Sequence, residues 1–416
     1  MPHVLIANRA AIAVRAAKTL RALGATTTAV AAETDLQSGH VRSADNRVDV
    51  PGWGLPDTYD SPRRMLGAAL LAGVDVVYPG YGSLAENADF VAGLEAAGIR
   101  FVGPSSAALR LAGSKAEAIA TAARIGVPVL AHASAVGVAE TLACVQRLGL
   151  PVILKPEHGY GGQAVRIAHT EDQARRVVEA SPATHWYVEE FLPHNRVIGI
   201  CLAITERGEV IELGERESLL SVSGLKLLEA SPVAGIEPDM LDRMRADAVR
   251  VAREIGLKNV MTVEFIVDED RYYFLEVNGR LPLAYQMSEA QTGLDLVDLQ
   301  TRIARGEAID PSTVAVDRTI HCLEARFFVH PDELTDFPRV GSLDRLRFAD
   351  VDDITYACSI DPAKPLDYEL IVAQALCTAL ERQAAARSLR KAIENSEISG
   401  LNCFQDEILD RLNAER

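Results

Sequence analysis

The chain has 416 residues, 48% of them hydrophobic and 24% charged, with a formal net charge of −16. That length is expected to fold as two to four domains, and the negative balance, without a basic stripe, argues against a nucleic-acid or anionic-membrane partner. The six cysteines are scattered with no C-x-x-C pair, so neither zinc nor a disulfide framework is indicated and a cytoplasmic location fits best. No signal-peptide pattern and no run of about eighteen apolar residues is present.

In chain order, His3–Ala7 reads as a short buried strand, Ala11–Leu23 as a helix closed by Gly24, and Thr26–Ala32 as a second strand. The alternation continues through Val74–Tyr78 and Ile99–Val102, the pattern of a parallel, Rossmann-like sheet. No G-x-G-x-x-G follows the first strand, where Asn8-Arg9-Ala10-Ala11 stands instead, so a dinucleotide is not expected. Two loops stand out: Ala7-Asn8-Arg9, and Pro79-Gly80-Tyr81-Gly82 followed by Ser83-Leu84-Ala85-Glu86-Asn87. Glycines permit close backbone approach, and Glu86 or Asn87 is placed to cap the next helix. Packing and domain docking are favoured there over substrate contact.

Further on, Gly113-Ser114-Lys115 opens a helix over Ala116–Ile125, stopped by Gly126-Val127-Pro128. Pro151–Lys155 is an apolar strand ending in one lysine, followed by the glycine-rich loop Pro156–Gly162. A lysine in front of such a loop suits polyphosphate oxygens, because glycine N–H groups approach anions with no Cβ in the way. The plainer alternative is a turn with a snorkelling lysine. Tyr187–Leu192 reads as a strand crossing into a turn.

Met261–Arg280 reads as a hairpin of two strands, each with one carboxylate in an apolar run, Glu264 and Glu276. A carboxylate among Phe, Ile and Leu is costly unless a cation neutralises it. With Asn278 and Arg280 at alternate positions behind them, the set suits Mg²⁺ (or Mn²⁺) holding polyphosphate oxygens. An acidic surface hairpin is the alternative. Ala373–Ile393 carries the pattern of a long amphipathic helix, and Asn402–Leu412 that of a final one.

Glu264, Glu276, Asn278 and Arg280 resemble the closing metal motif of ATP-grasp enzymes, and the whole chain resembles their biotin carboxylase branch. The loops I-A-N-R and P-G-Y-G-S-L-A-E-N, the blocks G-S-K and E-R-E-S, and H-C-L-E-A-R at His321–Arg326 carry the likeness. So do Gly341–Phe348 and Tyr368–Gln374. The resemblance implies an α/β and α+β multidomain chain: a Rossmann-like domain at 1–113, an ATP-grasp domain at 114–310 with a lid at about 126–192, and a biotin carboxylase-like C-terminal domain at 311–416. It implies ATP and Mg²⁺ as cofactors and a homodimer. Lys115, Lys155, Gly159, Gly161 and Gly162 are implied to meet phosphates. Glu189, Glu190, Leu192 and Ile266 are implied to line the adenine and ribose, although Glu190 stands where many relatives have lysine.

The acceptor side departs from the family. After Glu215-Arg216-Glu217-Ser218, relatives continue with glutamine, two arginines and a histidine, whereas only Lys226 keeps register here. Relatives place a catalytic glutamate eight residues past the second metal glutamate; that position is Ala284, with Pro282 and Tyr285 in place of a glutamine and a histidine. A methyl group takes no proton. Val351–Tyr356 lacks the arginine that steadies the biotin enolate, and no M-K-M biotinylation motif occurs, so the chain is expected to carry no attached biotin. The expectation is an ATP-grasp ligase. MgATP turns a small-molecule carboxylate into an acyl phosphate, Arg280, Lys226 and Asn278 hold its charge, and a nucleophile, an amine by preference, displaces phosphate. The alternatives are a bicarbonate-dependent carboxylase with a substitute base such as Glu289, and a non-catalytic ATP-binding regulatory subunit.

Overall fold

The computed structural model describes residues 2–156, 165–193, 195–330, 339–358, 360, 366–367 and 370–415. At the N-terminus, parallel strands lie in the spatial order Asn46–Val50, Thr26–Ala32, His3–Ile6, Val76–Tyr78, Arg100–Phe101. Helix Ala10–Ala22 packs Ile12, Ala13, Ala16, Ala17 and Leu20 inward, the spacing of one helical face. The two loops singled out above meet. Asn8 Nδ2 donates to Pro79 O at 2.7 Å and to Tyr81 O at 2.6 Å. Gly80, at φ +65°, lies so close that a Cβ there would stand 2.8 Å from Ile12. Asn87, not Glu86, caps the next helix by accepting from Phe90 N at 2.8 Å.

A second, antiparallel sheet runs His132–Val136, His185–Glu190, Val152–Pro156, Arg166–Ala168. Helices Val138–Leu148 and Glu171–Ala180 close it around Val145, Leu154, Val178 and Val188. The latter helix starts on a reciprocal cap between Thr170 and Gln173, which satisfies two otherwise orphan N–H groups.

The largest sheet has eight antiparallel strands in the order Arg271–Asn278, Asn259–Asp268, Arg196–Ile204, Val210–Val222, Leu225–Ser231, His321–Phe328, Ile371–Ala379, Ile354–Ala357. Its ladder therefore runs continuously across residue 310. Strand alternation splits its faces. Ile198, Ile200, Leu202, Val263, Phe265 and Val267 pack against helix Pro238–Ile255. On the opposite face, Cys201, Ala203 and Val260 pack under Tyr285 and helix Leu296–Ala304. No helix among the described residues is long and apolar enough to cross a membrane.

The C-terminal elements correct the sequence expectation. Ala373–Ile393 is not one helix: Ile371–Ala379 is a strand and the helix is Arg382–Glu394. The strand is buried on both faces over Val372–Cys377, so no period-2 alternation shows, and its alanines and leucines mimic a helix. The block Gly341–Phe348 spans the end of one strand, Arg339–Gly341, and the whole of another, Arg345–Arg347. The last helix begins at Gln405, after Phe404 in the left-handed region at φ 62°.

Candidate active site

The hairpin places its carboxylates directly across from one another, Glu264 opposite Glu276. A bulge makes this possible. Phe265 pairs with Phe274, which leaves Leu275 as an extra residue. Tyr272 and Phe274 point into the core, and so does Val277. The extra residue reverses the alternation, so Glu276 and Asn278 turn away from the core to join Glu264. Bulges re-aim side chains in this way, and the phase break in F-L-E-V is its trace in the sequence.

Around this pair the side chains form a connected set. Lys226 Nζ lies 2.5 Å from Glu264 Oε1. Asn278 Nδ2 donates to Glu276 Oε1 at 3.3 Å, and its Oδ1 accepts from Arg280 at 3.0 Å. Arg280 Nε donates to Glu86 Oε2 at 2.9 Å, so the second of the two N-terminal loops docks onto the end of the hairpin. Burial pushes the Glu86 carboxyl up, and Arg280 opposes that shift.

On the four-stranded sheet, Lys155 holds Glu189 in a close ion pair, and Glu189 is buried while Glu190 is exposed. Leu192 follows the strand, half-buried. Ile266 is buried opposite Tyr273 and Val197. Lys115 is the first residue of helix Lys115–Arg124, which Ser114 caps by accepting from Glu117 N; the helix packs against strand Arg271–Asn278. Gly159, Gly161 and Gly162 lie outside the described residues. Glu264, Glu276, Asn278, Arg280 and Lys226 are thus brought into one set, and Lys155 with Glu189 into another.

The sequence reasoning missed a buried ionic row on the floor of the large sheet. Arg216 Nε donates to Glu229 Oε1 at 3.2 Å and its NH2 to Thr262 Oγ1 at 3.2 Å. Arg326 contacts the other Glu229 oxygen and donates to Glu324 Oε1 at 2.7 Å. Gln374 Nε2 then links Glu324 Oε1, at 3.1 Å, to Leu283 O, at 3.0 Å. Burial pushes the Glu229 carboxyl up, but Arg326 and Arg216 more than offset this and hold it at about 2. The E-R-E and E-x-R spacings were visible, but their pairing across strands was not.

The acceptor positions are closed by apolar packing. Ala284, 1% exposed, lies in a cluster with Met287, Cys322 and Leu376. Tyr285 packs with Ile12, Leu281 and Leu296. Leu219, Leu220, Val222 and Leu225, in the run between Ser218 and Lys226, lie against the C-terminal core. Glu289, the candidate substitute base, accepts from Arg15 at 2.9 Å and from Leu296 N at 2.8 Å. Those contacts tie it to the docking of helix Ala10–Ala22.

Among the described residues no three His, Cys, Asp or Glu side chains cluster as a metal cage. Two facing carboxylates and an amide are nonetheless an oxygen half-shell of the kind Mg²⁺ takes, with phosphates and water completing it. A cation already sits on one of those carboxylates, the Lys226 ammonium.

Comparison with known proteins agrees with this geometry. Residues 1–109 match the biotin carboxylase N-terminal domain, and residues 114–311 the ATP-binding domain of the carbamoyl-phosphate synthase L chain. Biotin carboxylase 1 of Bacillus subtilis is 31% identical over 96% of this chain and 92% of its own. The chain belongs to the biotin carboxylase family. Biotin carboxylase of Halalkalibacterium halodurans is 32% identical over 96% of this chain and 91% of its own. Two solved structures share the fold across 99% of the chain. Biotin carboxylase of Campylobacter jejuni, solved as a β,γ-ATP complex, has TM-score 0.88 at 26% identity and is covered over 95%. The biotin carboxylase domain dimer of Hydrogenobacter thermophilus 2-oxoglutarate carboxylase, solved with MgADP, ADP and bicarbonate, has TM-score 0.89 at 28% identity and is covered over 94%. Biotin carboxylases are ATP-dependent ATP-grasp ligases that use Mg²⁺, and this chain is such a ligase.

Proposed function

We propose that this biotin carboxylase relative spends MgATP to activate a small-molecule carboxylate as an acyl phosphate, and passes the acyl group to an amine in place of biotin. The observation that carries this is Ala284, buried among Met287, Cys322 and Leu376, in a chain whose hairpin sets Glu264 opposite Glu276. On this reading residues 1–113, 114–310 and 311–416 are the functional segments, with a lid at about 126–192. Glu264, Glu276 and Asn278 hold the metal. Lys115, Lys155 and the Gly159–Gly162 loop hold phosphates, while Glu189, Glu190, Leu192 and Ile266 line the nucleoside. The metal, when bound, neutralises phosphate charge. The acid's oxygen attacks the γ-phosphorus and ADP leaves. Arg280, steered by Glu86 and Asn278, faces the charge that develops, and Lys226 supplies a second cation. The amine then attacks the acyl carbon, phosphate leaves, and one proton is released. Positioning and charge carry most of such a transfer, which is why loss of a protein base at position 284 is tolerable with an amine. The chain itself carries no biotin, works in the cytoplasm, and pairs as a homodimer.

One observation favours a second reading, carboxylation from bicarbonate. The likeness extends over nearly the whole chain to a domain solved with bicarbonate. Trapping with hydroxylamine separates the two. Hydroxamate that forms from MgATP only when an organic acid is supplied supports the acyl phosphate. Turnover that needs bicarbonate and free biotin, with no hydroxamate from any acid, supports the carboxylase.

A further inference from the structure

We infer that Lys226 and the metal alternate on Glu264. The lysine is the internal counter-ion that a divalent ion must displace, and its displacement delivers a free ammonium to the incoming carboxylate. This rests on the reading of Glu264 and Glu276 as the metal carboxylates.

The site is neutralised from within. Lys155 sits on Glu189, Arg280 on Glu86, and Arg216 and Arg326 share Glu229. None of those anions belongs to the facing pair on the hairpin. Lys226 alone among these cations rests on one of that pair, with Nζ 2.5 Å from Glu264 Oε1. The Glu264 side chain is 5% exposed, and a carboxylate so placed requires a cation at all times. A divalent ion held by the facing pair takes a Glu264 oxygen at about 2.0–2.6 Å, with its own positive charge. An ammonium and a divalent ion on one carboxylate repel each other, so the lysine is driven off as the metal arrives.

Lys226 has a way out: its side chain is 27% exposed. A further carboxylate whose charge it feels is Glu229, already held by two arginines. Once displaced, the ammonium therefore stands in excess positive charge, where an organic carboxylate or acyl phosphate compensates it. Asn278 repeats the logic on a smaller scale: its Oδ1 is taken by Arg280, and a metal that claims this oxygen frees a guanidinium hydrogen for the same anion. Metal and nucleotide are then bound before the acid, because the acid's counter-ion does not exist until the metal is in place.

The test uses Mn²⁺ alone with the full-length chain and needs no knowledge of the acid. Free Mn²⁺ is counted by electron paramagnetic resonance for the wild type, Lys226→Met and Glu264→Gln. Removal of the competing ammonium tightens Mn²⁺ binding by about twofold to fivefold, the worth of a partly exposed ion pair; Lys226→Gln does the same. In parallel, acylation of lysines read by mass spectrometry shows labelling of Lys226 in the wild type rising when Mn²⁺ is added. A Lys226→Met protein that binds Mn²⁺ no more tightly than the wild type overturns the inference, and so does a Lys226 label indifferent to Mn²⁺. If Glu264→Gln binds Mn²⁺ as the wild type does, the metal assignment itself has failed and the exchange falls with it.

Discussion

Restoring the family's glutamate should hurt this protein. Ala284 is 1% exposed, and its neighbours Met287, Cys322 and Leu376 are 2%, 0% and 6% exposed. Ala284→Glu adds a methylene and a carboxyl to a closed apolar cluster. Overpacking of that kind costs about 1–3 kcal/mol, and burying a polar group with no partner adds about 1–3 kcal/mol more. A loss of about 2–6 kcal/mol is therefore expected, read as a lower urea midpoint at unchanged slope. Ala284→Gln, of equal size and no charge, should lose most of the same amount, since packing and an unmet hydrogen bond dominate. Phosphate release with bicarbonate and free biotin should not rise in either variant. An Ala284→Glu protein as stable as the wild type, with new bicarbonate-dependent turnover, refutes the closed-cluster argument.

Four other outcomes follow from named contacts. Glu276→Gln keeps the shape of the hairpin but removes a charge from the facing pair; metal-dependent phosphate release should fall roughly 10²-fold, and survival of that rate sinks the metal assignment. Arg326→Met leaves Glu229 and Glu324, 2% and 0% exposed, short of their shared cation, and should cost about 3–5 kcal/mol in chemical denaturation. Asn8→Ala strips a donor from two carbonyls of the Pro79–Tyr81 loop and should cost about 1–3 kcal/mol, which a thermal melt will show or deny. His40, buried beside Asp35, Arg9 and Tyr59, is pushed down by burial to about 4 from 6.5. A depressed histidine contributes stability that is complete above its unfolded value and is lost as pH falls from about 6.5 toward 4, at most about 3 kcal/mol here. His40→Gln should flatten the urea midpoint across that window; an unchanged slope against pH contradicts the burial argument.

The fold was legible where local pattern and tertiary role agree. Helix Ala10–Ala22 and strand Thr26–Ala32 were visible because their apolar spacing matches one packed face. The hairpin of strands Asn259–Asp268 and Arg271–Asn278 was visible because alternation and β-branched and aromatic residues mark both runs. Strand Ile371–Ala379 was not, because a strand buried on both faces loses alternation and its alanines favour helix. The bulge at Leu275 could have been found, since Phe274 and Val277 cannot share a face without it. The row from Arg216 through Glu229 and Arg326 to Gln374 could not. Its members are far apart in the chain and meet only through the register of adjacent strands. Glu86 or Asn87 was expected as the cap; Asn87 takes that role, and the Glu86 carboxylate is drawn to Arg280 by a domain contact that no local pattern carries. Glu289 was a reasonable base by position, but Arg15 and the Leu296 N–H engage it.

The account turns on the proposal that the means of spending ATP are kept while the acceptor side has changed around Ala284. The most direct test is steady-state phosphate release from MgATP by the full chain. Bicarbonate with free biotin is compared with organic acids paired with amines. The account predicts acceleration by at least one acid and amine pair, and none by bicarbonate with biotin. Acceleration by bicarbonate and biotin alone contradicts it.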